Sequence, residues 1–230
     1  MKNLTLLPGL LAAILLAAPG GTRAQQIRGG VNLANVSTTS DGRVDRGSSL
    51  TSFQVGLIGN WKLGTSLIAL QPGIVFTGKG AQVQYREPGQ VGYFRQRLNP
   101  FYIEVPVNLV AKLPLGASSR FFVGAGPYAA VGIAGKVTTE GSALVGVNGK
   151  RSIQFSNDDP TTFNQEEGTG LGVLRRFDYG FNGTAGFEGS TTVIGVNYGL
   201  GLAKLQSGAN SSADDANKHR VLSFFIGFKF

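Results

Sequence analysis

A single histidine limits the acid–base chemistry open to this chain. His219 has Ser223 four residues on, so an extended strand puts both on one face. A serine beside a histidine base is the pairing a lipid-modifying hydrolase would need. Four residues of strand hold the two side chains too far apart for a direct hydrogen bond. His219 therefore reads as a solvated loop-edge residue, and no catalytic residue is assigned. Asp158-Asp159, Glu166-Glu167 and Asp214-Asp215 offer the oxygen ligands a hard cation takes. Their spacing matches no calcium-loop pattern, so they read as solvated loop charge. The run Gly168-Thr169-Gly170-Leu171-Gly172 lacks the helix and lysine of a phosphate loop. The chain has no cysteine, which removes thiol catalysis, disulfides and Cys-ligated metal. No metal or cofactor is expected.

Two other groups of polar residues stand out by position. Glu104, Lys112, Asp178, Glu188 and Lys229 lie inside apolar, alternating segments, each on the face opposite the apolar one. Charges so placed are expected to pair with one another, which limits the cost of burying them. The second group interleaves bases and aromatics: Lys79, Arg86, Arg95 and Arg97 with Tyr85, Tyr93 and Phe94. From it Lys79, Arg86, Tyr93, Arg95 and Arg97 are taken as surface contacts. Such a mixture suits lipid phosphates or glycans, and equally an interfacial anchoring belt.

The elements that must carry these residues are strands. Eight segments alternate with period two, the signature of a half-buried strand. Leu222, Phe224, Ile226, Phe228 and Phe230 share one face against Ser223, Phe225, Gly227 and Lys229. Phe101, Ile103, Val105, Val107, Leu109 and Ala111 do the same against Tyr102, Glu104, Pro106, Asn108 and Lys112. Segments 53–61, 177–187 and 194–202 repeat the pattern, and weaker ones cover 26–36, 67–78 and 120–135. In 120–135 both faces carry aromatics, so its phase is open. Connections alternate between short turns (63–65, 114–119, 188–191) and long polar loops (37–51, 79–97, 136–172, 205–217).

Two unlike ends predict an all-β, eight-stranded antiparallel up-and-down transmembrane β-barrel with short periplasmic turns and long extracellular loops. A closed sheet leaves no backbone group unpaired in hydrocarbon. Trp61, Phe121, Phe187 and Phe230 fall near the short-turn end, and Phe53, Phe76, Phe101 and Phe177 near the other, as two interfacial girdles. A soluble lipocalin-type barrel would show the same alternation with its faces reversed, but lacks a reason for girdles or loop asymmetry. The aromatic last residue, with Phe228 on the same face, resembles the signal read by outer-membrane assembly machinery. Export fits the N-terminus. Lys2, the apolar run Leu4–Ala18 and Thr22-Arg23-Ala24 read as a cleaved signal peptide over 1–24, leaving a barrel domain over 25–230. The formal charge of +8 then loses Lys2 and Arg23, leaving +6. In an exported chain scattered bases point to anionic lipid or lipopolysaccharide, not nucleic acid.

Three stretches carry a family resemblance. Gly29–Val36, Leu70–Phe76 with Lys79-Gly80, and Tyr102-Ile103-Glu104-Val105-Pro106-Val107 resemble the first, third and fourth strands of the PorT-like outer-membrane β-barrel proteins of the Bacteroidota. The resemblance implies a small barrel of the OmpA/OmpX kind and implies no activity. The resulting expectation is a monomeric, non-enzymatic outer-membrane protein with a plugged polar lumen. Its partners would be outer-membrane lipid and lipopolysaccharide, assembly machinery and periplasmic chaperones, and a protein or glycan at the long loops. A narrow solute channel is the alternative, and a lipid-modifying enzyme a weaker one.

Overall fold

A computed structural model describes residues 24–40, 43–46, 49–64, 67–86, 92–116, 118–141, 149–155, 173–203 and 218–230. Eight long strands form the barrel: β1 (Ala24–Ser40), β3 (Leu50–Lys62), β4 (Ile68–Gly78), β6 (Phe94–Pro114), β7 (Arg120–Gly141), β11 (Phe177–Glu188), β12 (Thr192–Gly201) and β13 (Lys218–Lys229). Each pairs antiparallel with its neighbour in the chain, and β1 pairs with β13 to close the ring. The closing contact is reciprocal: Phe230 N–H donates to the Gln25 carbonyl at 3.0 Å, and Gln25 N–H to that of Phe230 at 3.2 Å. Five short strands lie outside the ring: β2 (Arg43–Arg46), β5 (Ala81–Tyr85), β8 (Gly149–Ser152), β9 (Gln154–Phe155) and β10 (Val173–Leu174). The expected signal peptide falls on residues that, apart from Ala24, lie outside the described ones, as do all three acidic pairs.

The period-two pattern sets which way each side chain points. Phe224, Ile226 and Phe228 are about half exposed, while Ser223, Phe225 and Gly227 are buried. The same holds along β11, where Phe177, Tyr179, Phe181 and Phe187 face out. The apolar faces therefore point outward, the reverse of a lipocalin. β7 resolves the open phase: Phe122 and Tyr128 point inward, and Phe121, Val123 and Ala125 outward. Two aromatic belts ring the outside. Phe53, Phe76 and Phe101 cluster with ring centres 5.3–5.7 Å apart near the long-loop end, and Phe121 meets Phe187 at 5.4 Å near the short turns.

Two departures from the sequence expectation matter for function. The strands do not stop at the belts. β6 runs 21 residues and β7 22, well past the ~9–11 a tilted strand needs to cross a bilayer. Within the stretches that read as long polar loop, 81–85, 94–97, 136–141 and 149–152 are instead a sheet of β5, β6, β7 and β8 standing above the outer belt. The second departure is a bulge. Phe101 pairs with Ala134 but Tyr102 with Gly132, so Ile133 is an extra residue in β7. A bulge shifts the alternation by one. Below it even-numbered residues of β7 point inward; above it Val137 is buried while Lys136 is exposed.

Glycine allows close approach at the wall. A Cβ on Gly186 would run into the Ile194 carbonyl and lie 2.8 Å from the Phe122 ring, which fills the lumen beside it. Gly64, with φ +63°, makes the tight β3–β4 turn.

Candidate functional site

The lumen is filled in tiers. At the short-turn end Glu188 sits between two lysines, 2.6 Å from Lys112 Nζ and 3.1 Å from Lys229 Nζ. Lys229 also donates to the Gly189 carbonyl. Above this, Arg28 donates to Gln26 Oε1 and, at 3.1 Å, to Gln71 Oε1, and lies 4.7 Å from the Phe225 ring centre. Gln71 donates in turn to Asn60 Oδ1 at 3.1 Å. Next comes a cavity of about 40 Å³, bordered by Arg28, Gln54, Glu104, Asn108, Asn182 and Phe225 among others. That is room for very few waters.

The outer tier inverts the lower one. Here Lys79 sits between two carboxylates, 2.7 Å from Glu104 Oε2 and 2.9 Å from Asp178 Oδ2. Tyr128 O–H donates to Asp178 at 3.1 Å, and Asn182 to Glu104 at 2.9 Å. The ammonium also lies 4.0 Å from the Tyr128 ring centre. His219 packs edge-on against Tyr102, with Nε2 3.4 Å from the phenol oxygen. An apolar cap closes the mouth above them. Val36, Val137, Ile153 and Leu174 are buried together, with Ala81, Leu98 and Phe155 against them. The β8–β9 segment is tied in by Ile153 N–H donating to the Gly135 carbonyl at 2.9 Å, and Phe155 lies edge-on to Tyr102.

Glu104, Lys112, Asp178, Glu188 and Lys229 thus all lie in the lumen, as two separate clusters and not one network. Lys79 is a correction. It is only 3% exposed and belongs to the lumen, not the outer surface. The signal was in its parity: Gln71, Thr77 and Lys79 share one inward phase that runs past the end of β4. Tyr93 is likewise buried, with the Arg95 guanidinium 5.7 Å from its ring, so it offers no free face. His219 is also corrected. It is buried under the cap on the inward parity of Val221 and Ser223 rather than solvated. Arg28 was missed because β1 alternates weakly.

Arg95 and Arg97 remain on the outside, on the β5–β8 sheet above the belt. Arg97 Nε donates to Gln82 Oε1 and Arg95 Nε to Gln84 Oε1, each at 2.9 Å. Arg95 also reaches Glu140 at 3.7 Å. Arg86 is exposed at the end of β5.

A closed ring of eight antiparallel strands, an apolar outer wall with two belts and a polar filled interior define an integral outer-membrane barrel. The chain matches the outer membrane protein beta-barrel domain family over residues 21–207 and belongs to that family. No curated protein matches it. Among solved structures it is similar to the attachment invasion locus protein Ail of Yersinia pestis, at 13% identity and TM-score 0.43, covering 90% of this chain and 98% of that one. It is similar to Neisserial surface protein A at 10% identity and TM-score 0.42, over 90% and 97% of the two chains. The outer membrane protease OmpT of Escherichia coli gives 11% identity and TM-score 0.37, over 93% and 99%.

Proposed function

We propose that the protein is a non-conducting, non-enzymatic barrel that serves as a rigid outer-membrane mount for the sheet above its outer belt. The carrying observation is the filled lumen: charged tiers at both ends and an apolar cap over the mouth. Each carboxylate is matched by a lysine within ion-pair distance, so no tier offers a passing ion an open polar path. The cavity between the tiers is small, about 40 Å³, and lies between the Glu188 and Lys79 clusters. Against an enzyme, His219 lies under the cap, out of reach of a substrate at the rim. Residues 1–24 act in this reading as a cleaved export signal, and Phe228 and Phe230 as part of the assembly signal. The Tyr102–Val107 element supports placing the chain in the PorT-like group. Single-channel recording in planar bilayers tests the reading. A silent membrane with incorporated protein is expected, and stable conductance steps would overturn it.

A further inference from the structure

We infer that the outward face of the extracellular sheet is a phosphate clamp, built from Arg97, Lys136 and Lys150 around Thr138, for the headgroup of an outer-leaflet glycolipid. The inference rests on the reading of the barrel as a mount for this sheet. Register alone assembles the cluster. Gln82, Arg97, Thr138 and Lys150 form one row across β5, β6, β7 and β8. Asn99, Lys136 and Ser152 form the next row toward the membrane. Neighbouring strands are ~4.8 Å apart, and diagonal neighbours on one face lie within ~7–8 Å. Lys136 is diagonal to both Arg97 and Lys150, and Thr138 stands among the three. The Ile133 bulge makes this possible, since without the shift Lys136 and Thr138 would point into the mouth.

The charges are unspent. Lys136 and Lys150 are exposed with no acidic partner among the described residues, and Arg97 uses only Nε, on Gln82. That bond holds the guanidinium on the sheet and leaves its outer N–H groups for a ligand. Among the described residues Glu140 is the one acid on this face, and its partner is Arg95 in the row further out. Three cations and a hydroxyl around one point suit a multivalent oxyanion such as a phosphate monoester.

Height above the membrane selects the source. Phe101 belongs to the outer belt, and Asn99 and Arg97 follow it on the same face of β6. At ~3.4 Å per residue and ~40° tilt, the Lys136 and Arg97 rows stand roughly 5 and 10 Å above Phe101. The headgroup layer beyond the hydrocarbon is about 5–8 Å deep on each side. The Lys136 row therefore falls within that layer and the Arg97 row just above it, on a face that continues the outer wall of the barrel. A membrane-borne phosphate therefore fits better than a free one.

The test uses the full chain in detergent, titrated with phosphorylated lipopolysaccharide, enzymatically dephosphorylated lipopolysaccharide or inorganic phosphate. Wild-type binding is expected to be salt-sensitive, and R97Q/K136Q/K150Q to bind about 100-fold more weakly. K150R should retain binding, and dephosphorylated lipid should bind wild type as weakly as the triple variant does intact lipid. Equal binding by wild type and triple variant would overturn the clamp, as would indifference to dephosphorylation. Inorganic phosphate binding as tightly as the glycolipid would overturn the assignment to lipid. Lys136 and Lys150 are exposed and Arg97 is half-buried on the outer face, so heat-modifiable gel migration should be unchanged and serves as the folding control. A silent bilayer recording with failed binding would defeat the clamp and leave the plugged mount intact.

Discussion

The two charge clusters in the lumen are inverses of one another. At the outer end one lysine bridges two carboxylates; at the periplasmic end one carboxylate bridges two lysines. Their surroundings differ as well. The outer triad lies under an apolar cap, with side chains 4%, 10% and 4% exposed. In the periplasmic triad Lys112 and Glu188 are as buried, at 2% and 6%, but Lys229 is 14% exposed and has the Gly189 carbonyl as a second acceptor. The difference teaches which end depends on pairing. Lys229, stripped of its partner at the periplasmic rim, can turn toward water, whereas no charge under the cap has that outlet.

The largest expected effect is therefore at Lys79. K79M leaves Glu104 and Asp178 facing each other without a cation, and should lower stability by about 3–5 kcal/mol. Urea titration of the folded, heat-modifiable band in detergent measures it. Neutralising the whole tier as K79M/E104Q/D178N should recover most of that loss, because the penalty is an uncompensated charge and not a missing bond. E188Q should cost less, about 1.5–3 kcal/mol on the same titration, since an amide oxygen can still accept from Lys112 and Lys229 keeps the Gly189 carbonyl and access to water. Equal losses for K79M and E188Q would erase the proposed difference between the ends. Y102F is the smallest, about 0.5–1.5 kcal/mol, because it removes one 3.4 Å contact to His219 and keeps the ring packing on Phe155. A larger loss would mean that the Tyr102–His219 pair, and not Lys79, organises the outer end.

The barrel was legible because lipid and lumen impose opposite demands on alternate residues. Phe224, Ile226 and Phe228 against Ser223 and Phe225 carry that demand in plain form. The same parity, extended two residues beyond a strand end, would have placed Lys79 and His219 in the lumen. A lysine after Gly78 and a histidine beside a polar stretch nonetheless both look like loop. The sheet above the membrane was hidden for a different reason. Arg95, Arg97, Lys136 and Lys150 are polar residues on strands exposed to water, where alternation carries no apolar signal. The bulge hid the rest, since Ile133 and Ala134 both face outward and break the period just where β7 leaves the bilayer. Pairing between distant strands, which brings Arg97 beside Thr138 and Lys150, is a property of register that no local pattern reports.

A barrel that serves only as a mount needs a shut lumen. Single-channel recording of the purified full chain in a planar bilayer, with incorporation verified by heat-modifiable migration of the recovered protein, addresses it directly. A shut lumen gives a baseline free of discrete steps under applied voltage. Reproducible steps of uniform size from the wild-type chain would contradict it.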